Sequence, residues 1–376
     1  MCFLPPLFMG YSLPNLEVYF ARPMIGDEEI ANVNHALKRK RLTNAGWVQQ
    51  FEERFQDFIG GGIAVAVSSC FAALHLSLVL KGIKRNDEVI VPALTHCAIA
   101  NAIELVGARC VFVDSHIDSG NIDPDLVELA VRDMPNMRAI TLVHYLGQPA
   151  YMKSMLDICR RWNLPLIEDC ALALGTVHNG SGKHVGLIGD VGCFSFYPAK
   201  HITTGEGGML VSNDASIAES ARSLRSFGYG HDRDSDITLP GLNYRMTELQ
   251  AAMGVAQLTR ASKFIHQRAV NAKLLKDALP EFQLYVGNYA VSVMIPAQID
   301  RDKLREKLLS DGIQTSVYYP RPVPHFSYYR KKYGVGRYPV AEDISAHSIA
   351  LSVGPHLTRD KVLYQAERLK HHVSRW

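Results

Sequence analysis

Seven short apolar runs, at residues 63–67, 88–93, 109–114, 139–144, 165–169, 191–197 and 208–212, constrain the fold of this chain more than any other feature. Helical patterns at 98–106, 152–162 and 217–226 fall between several of them. Apolar strands alternating with helices build a largely parallel sheet with helices on both faces, so the expected class is α/β. A long helical pattern from 244 to about 279 then leads into a less readable final hundred residues. The expected organisation is a large domain over 1–250, with an N-terminal arm, and a linker helix plus a small α+β domain over 251–376. The chain has 376 residues, enough for more than one domain, and shows no internal repeat or low-complexity tract.

Composition narrows the function by exclusion. A net charge of +3 is too small to indicate a nucleic-acid partner. The nearest approach to a basic block, Lys38-Arg39-Lys40-Arg41, reads as the solvated end of a helix that starts near Asp27. Seven cysteines between Cys2 and Cys193 show no CxxC pair or zinc-type spacing, and an odd, scattered set points to reduced thiols in the cytoplasm. The apolar run at 2–9 is short, is broken by Pro5-Pro6 and lacks a basic leader, so it fails as a secretion signal. No stretch approaches transmembrane length.

Lys200 carries the chemistry. Lysine is among the least buried side chains, yet this one follows the apolar run at 191–197 and precedes a glycine cluster, Gly205-Glu206-Gly207-Gly208. A lysine amine in a partly desolvated pocket loses its proton more easily and becomes a Schiff-base nucleophile. That points to an aldehyde cofactor, with pyridoxal phosphate the obvious candidate. Such a cofactor demands an acid opposite its ring nitrogen, a phosphate cradle and a group against the ring face. Glu168-Asp169 ends the run at 165–169, where ligands bind in open α/β sheets; the plainer reading is an acidic cap or turn. Ser68-Ser69-Cys70-Phe71 joins a strand to a helix, a place suited to a phosphate and equally to ordinary N-capping. Ser195 is a second phosphate ligand candidate, or a hydroxyl satisfied within its strand.

Together these residues resemble the DegT/DnrJ/EryC1/StrS sugar aminotransferases. The resemblance begins at Arg22-Pro23 and Leu42-Thr43 and continues through 91–96, 111–114 and 143–149. It is most specific in the Lys200 segment and in 241–252, which includes Asn243. It implies a fold-type I pyridoxal-phosphate transferase that moves an amino group from L-glutamate to a keto-sugar by a ping-pong route. The sugar is commonly a nucleotide-linked keto-deoxysugar, with ketocyclitols a minority. Residue by residue, Lys200 matches the Schiff-base lysine and proton shuttle, Asp169 the partner of the ring nitrogen, and Ser195 a phosphate ligand. Cys70 and Phe71 lie in the phosphate loop. His96 stands where an aromatic residue covers the ring, and Asn243 matches an asparagine that reaches the neighbouring subunit's cofactor, implying a homodimer. Lysine at 200 argues against the dehydratase branch, which has histidine there. Tyr319 and His325 fall in the segment that closes over substrate; packing is the equal alternative for both.

Two positions depart from the family pattern. Phe71 replaces a threonine whose hydroxyl serves the phosphate, and Leu172 replaces a glutamine or histidine that serves the cofactor's phenolic oxygen. Each missing hydrogen bond corresponds to about 1 kcal/mol of cofactor affinity. A non-catalytic regulatory homologue and a different pyridoxal-phosphate enzyme, such as a lyase or desulfurase, are the alternatives kept in view.

Overall fold

All seven apolar runs become strands of one sheet: β1 (Ile63–Val67), β2 (Glu88–Pro92), β3 (Arg109–Val113), β4 (Met137–Val143), β5 (Leu166–Asp169), β6 (Val191–Ser195) and β7 (Gly208–Ser212). The computed structural model describes residues 16–43, 45–230, 236–237 and 239–376. The apolar run at 2–9, with Cys2 and the start of the expected N-terminal arm, lies outside the described residues. The strand order is β1-β7-β6-β5-β4-β2-β3. Neighbours from β6 to β3 are parallel, and β7 runs antiparallel to both β6 and β1.

Side chains alternate between two helical layers, as the strand period of two requires. Val65 and Val67 of β1 join one core, which includes Leu74, Leu76 and Leu78 of the helix Cys70–Leu80. Ala64 and Ala66 face the other core, with Phe51 and Phe55 of the helix Trp47–Ile59. Because both faces are covered, the strands are apolar on both sides along most of their length, which is why they read as apolar runs.

The helix Glu248–Ala278 ties this sheet to a second one. Thr247 starts it: its hydroxyl accepts from the Gln250 amide, and Gln250 reaches back to the Thr247 amide. Its first half gives Val255, Ala261 and Phe264 to the large core, and its second half gives Ala272 and Leu275 to a separate one. That separate core lies under an antiparallel sheet ordered β10-β9-β8, from β8 (Leu284–Val286), β9 (Ala290–Met294) and β10 (Ser348–Ser352).

Several expected strand ends run one or two residues too far. The ladder of β6 stops at Ser195 instead of 197, and that of β3 at Val113 instead of 114. Residues just past these ends use their polar groups elsewhere. The carboxylate of Asp114 accepts from the amides of Val340 and Ala341 (3.0 and 2.8 Å), capping the helix Pro339–His347 from across the molecule. Lys38 to Arg41 are exposed at the end of the helix Asp27–Lys38, as expected of a solvated terminus. Among the described residues no helix is long and apolar enough to cross a membrane.

Candidate active site

The carboxyl ends of the parallel strands bring the chemistry together. At the end of β5, the two-residue period sends Glu168 and Asp169 to opposite faces. Glu168 is wholly buried and accepts four hydrogen bonds: from the amides of Gly186, Ile188 and Gly189 (2.9, 3.0 and 2.5 Å) and from His144 Nε2 (3.0 Å). His144 Nδ1 accepts from the Ala150 amide (3.1 Å), so its proton sits on Nε2 and points at Glu168. Burial pushes the Glu168 acid up, and these donors together outweigh it, leaving its pKa below the ordinary value. The backbone amide of His144 also donates to the carbonyl of Asp169 (3.1 Å), so one residue holds both acids.

Asp169 Oδ1 accepts from the Ala171 amide (2.9 Å). Burial raises the Asp169 pKa, and the nearby charge of Lys200 offsets part of that rise. Cys70 Sγ lies 4.0 Å from the same oxygen.

Cys70 opens the helix that follows β1. Ser69 caps it, its hydroxyl accepting from the Ala72 amide (3.1 Å), and the amides of Cys70 and Phe71 remain at the helix start for a ligand. Gly208 makes the close approach possible. A Cβ there would stand 2.3 Å from the Ser69 carbonyl carbon and 2.5 Å from the Cys70 nitrogen, so any side chain would push the helix start away. Gly208 pairs with Ser195 across β6 and β7, which sets the Ser195 hydroxyl beside the same cradle. Ser195 Oγ accepts from the Tyr197 amide (3.4 Å). The Phe71 ring, by contrast, packs against the core and stacks on His75 at 6.4 Å between centroids.

Lys200 rides a loop closed at its base. Phe196 and Gly207 are joined amide to carbonyl (2.9 Å), and the Phe196 carbonyl accepts from Thr204 N and Thr203 Oγ1 (3.0 and 2.9 Å). Gly205, at φ +80°, makes the turn back towards β7. Lys200 Nζ lies 5.5 Å from the ring centroid of Tyr289. His96 caps the helix Cys97–Leu105 through Nδ1, which accepts from the Ala98 amide (3.2 Å). Burial, aided by the charge of Lys200, lowers its pKa to about 4, so the ring is neutral at physiological pH. Tyr319 meets His96 edge to face at 6.1 Å, and burial together with the Asp169 charge pushes its phenol well above the ordinary range.

Lys200, Asp169, Cys70, His96 and Tyr319 thus share one site, with Ser195 beside it through its pairing with Gly208. His325 serves another place: its Nε2 lies 3.3 Å from the Gly336 carbonyl and 3.4 Å from Glu342, linking the two ends of the 323–342 segment. Asn243 is exposed and bridges to Ser226. Beside that bridge opens a cleft of about 1060 Å³, lined in part by Arg222, Arg225, Phe227, Tyr229 and Arg245 and by neither Lys200 nor Asp169. Leu172 is 1% exposed, clustered with Tyr145, Leu146, Tyr289 and Tyr318.

Sequence reasoning missed Tyr289 and the Glu168–His144 pair, and placed Gly208 in the glycine cluster after Lys200. Glycine in a strand was a usable signal for close backbone approach at 208. Tyr289, some ninety residues from Lys200, had none.

The donor set fits pyridoxal phosphate. Asp169 is a buried acid able to face a protonated ring nitrogen, Lys200 offers an amine to an aldehyde, and His96 presents a flat, neutral ring. The helix start at Cys70, pressed against Gly208, offers amides to a phosphate, with Ser195 opposite.

Residues 23–370 match the DegT/DnrJ/EryC1/StrS aminotransferase family. GDP-perosamine synthase of Escherichia coli O157:H7 is 34% identical over 363 residues, covering 94% of this chain and 98% of that protein. The spore coat polysaccharide biosynthesis protein SpsC of Bacillus subtilis (strain 168) is 34% identical over 382 residues, covering 94% of each. Among solved structures, DesV of S. venezuelae, determined in complex with a ketimine intermediate, superposes with a TM-score of 0.87 at 31% identity, over 93% of this chain and 95% of that one.

Proposed function

The chain belongs to the DegT/DnrJ/EryC1/StrS aminotransferase family, and we propose that it transfers an amino group from L-glutamate to a nucleotide-linked keto-deoxysugar in two ping-pong half-reactions. It is a pyridoxal-phosphate-dependent sugar aminotransferase. The observation that carries the transamination chemistry is the meeting of Lys200, Asp169 and His96 in one site beside a helix start shaped by Gly208. Its kinship with GDP-perosamine synthases supports a nucleotide-linked acceptor.

When bound, pyridoxal phosphate supplies an electron sink for the pair left on carbon as a proton departs. The protein does the rest. Asp169 would hold the ring-nitrogen end by a charge-assisted hydrogen bond. The amides of Cys70 and Phe71, with the Ser195 hydroxyl, would hold the phosphate. His96, a neutral ring, would lie against the cofactor without adding a competing charge. Lys200 Nζ takes up the α-proton of the donor and gives up a proton in the return half-reaction, a general acid–base role. Tyr319 sits at the substrate side, where its high pKa keeps it a hydrogen-bond donor.

Asn243 and the cleft beside it are the surface on which a second copy would sit, Asn243 reaching that copy's cofactor to complete a homodimer. The six cysteines among the described residues are all free, which supports a reducing, cytoplasmic setting. Phe71 and Leu172 favour, as a second reading, a homologue that keeps the fold without turnover.

One assay separates the readings. The cofactor-loaded chain is incubated with L-glutamate and a panel of nucleotide-linked keto-deoxysugars and ketocyclitols, with 2-oxoglutarate release and product mass as readouts. Amination of a nucleotide sugar is expected. Success with ketocyclitols alone would move the substrate assignment to them, and binding of cofactor without any amine transfer would support the non-catalytic reading.

A further inference from the structure

Two cations share the ring of Tyr289. Lys200 Nζ lies 5.5 Å from its centroid and the Arg268 guanidinium carbon 5.6 Å, distances that together bound their separation at about 11 Å. Arg268 projects from the helix Glu248–Ala278 and is only 6% exposed. Its Nη1 donates to the Tyr289 carbonyl (3.0 Å), while its Nε is buried without a hydrogen-bond partner among the described residues. Among those residues no carboxylate pairs with it; the groups near it are Tyr289, Tyr318, His201 and His356. Among the groups near Lys200 are Asp169, Cys70, His96, His201 and Tyr289, of which Asp169 is an acid.

A buried charge without a counter-ion is destabilising, and a neutral side chain of similar volume is usually the better choice for folding alone. A single hydrogen bond to the Tyr289 carbonyl does not require a guanidinium. His201 reports what the charge does locally. It neighbours Lys200 in sequence, lies 5.7 Å from the Tyr289 ring, and is held well below the ordinary histidine range by burial and then by Arg268, ahead of Lys200 itself.

We propose that Arg268 is a fixed positive charge that favours the neutral form of the Lys200 amine, preparing it to accept a proton. Arg268 acts through Lys200 and does not touch the substrate. The proposal rests on Lys200 as the proton-carrying amine of the reading above, and is independent of which sugar is aminated.

The test follows protonation of the Lys200 nitrogen, which in cofactor-loaded protein is the nitrogen bonded to the cofactor. In cofactor-loaded protein, Arg268→Gln is expected to move the pH midpoint of the bound cofactor's visible absorbance upward by about one unit, the size expected for like charges about 11 Å apart at an effective dielectric of about 20. Arg268→Lys, which keeps the charge and changes the hydrogen-bonding fork, should stay near wild type. A merely structural role would move both variants alike or neither. An unchanged Arg268→Gln midpoint overturns the proposal. Should that variant not fold, Arg268→Met, neutral and of similar length, takes its place: competitive acylation of Lys200 in chains without added cofactor, read by mass spectrometry across pH, should give a midpoint about one unit higher in the variant than in wild type. Equal midpoints also overturn the proposal. Neither measurement needs turnover, so a failure to aminate any sugar leaves the proposal standing.

Discussion

Glu168→Gln changes one atom and should cost far more stability than its size suggests. In the wild type, Oε1 accepts from the amides of Ile188 and Gly189, and Oε2 from the Gly186 amide and His144 Nε2. A glutamine keeps one oxygen. Whichever way its amide turns, an NH₂ group faces two buried donors that formerly met an acceptor. Each orphaned buried donor costs about 1–3 kcal/mol, so the expected loss is about 2–6 kcal/mol, less whatever is regained by no longer burying a charge. That regained part is the smaller, because the donors already hold the Glu168 pKa below its ordinary value in spite of burial. The assay is denaturant unfolding of the cofactor-free chain, wild type against variant, across pH. An acid with a depressed pKa stabilises the fold fully above its unfolded value, near 4.3, and that stabilisation is lost as pH falls through the folded value. The gap between the two proteins should therefore be widest at neutral pH and close in acid. A neutral-pH difference under about 1 kcal/mol, or a gap that does not depend on pH, would refute the reasoning and mean that the 186–189 loop finds other acceptors.

Asp169 should behave in the opposite sense. Its folded pKa is raised by burial, so its contribution to stability falls as pH rises from the unfolded value near 3.9 through the folded one. Asp169→Asn should therefore raise the melting temperature of cofactor-free protein at pH 7 while weakening pyridoxal phosphate binding by about tenfold or more, the effect of losing a charge-assisted hydrogen bond; a variant that melts lower and binds normally would contradict this. Lys200→Ala and Asn243→Ala should each be inactive alone, yet regain activity when unfolded and refolded together, because a mixed dimer contains one intact site; no recovery despite mixed dimers would place Asn243 outside the partner's site. Leu172→Gln should tighten cofactor binding by up to about fivefold, one ordinary hydrogen bond to the phenolic oxygen, as read by titration of apo-protein. Unchanged affinity would mean that the leucine is no defect.

Much of the fold was legible because its signals are local. Val65 and Val67 face one helical layer and Ala64 and Ala66 the other, and both sets are apolar, so β1 announces a doubly covered strand without any knowledge of its neighbours. The long helix was expected from 244, four residues ahead of its start at Glu248, where Thr247 and Gln250 form the cap. The strand ends were less legible. Asp114 was read as part of its strand, but it turns to cap a helix more than two hundred residues away. Lys200 and Asp169 could be found because each ends or follows an apolar run and chemistry requires the pair. His325 was read beside Tyr319 from its place in the chain, and its nearest polar partners belong to its own segment.

Arg268 marks where local reading stops. On a long helix, an arginine is ordinarily a surface residue, and nothing within several positions of it distinguishes this one. It is buried because the helix crosses from the large core to the small one at that point and meets the turn before β9, which carries Tyr289. Hydrogen-bonding pattern and apolar period act over a few residues, and they settled the strands, the long helix and the candidate lysine and aspartate. The order β1-β7-β6-β5-β4-β2-β3 acts over the whole chain. It sets the helix start at Cys70 against Gly208, and His144 against both Glu168 and Asp169. Contacts of that kind depend on packing between distant segments, and packing is a property of the assembled layers, which no short stretch of sequence contains.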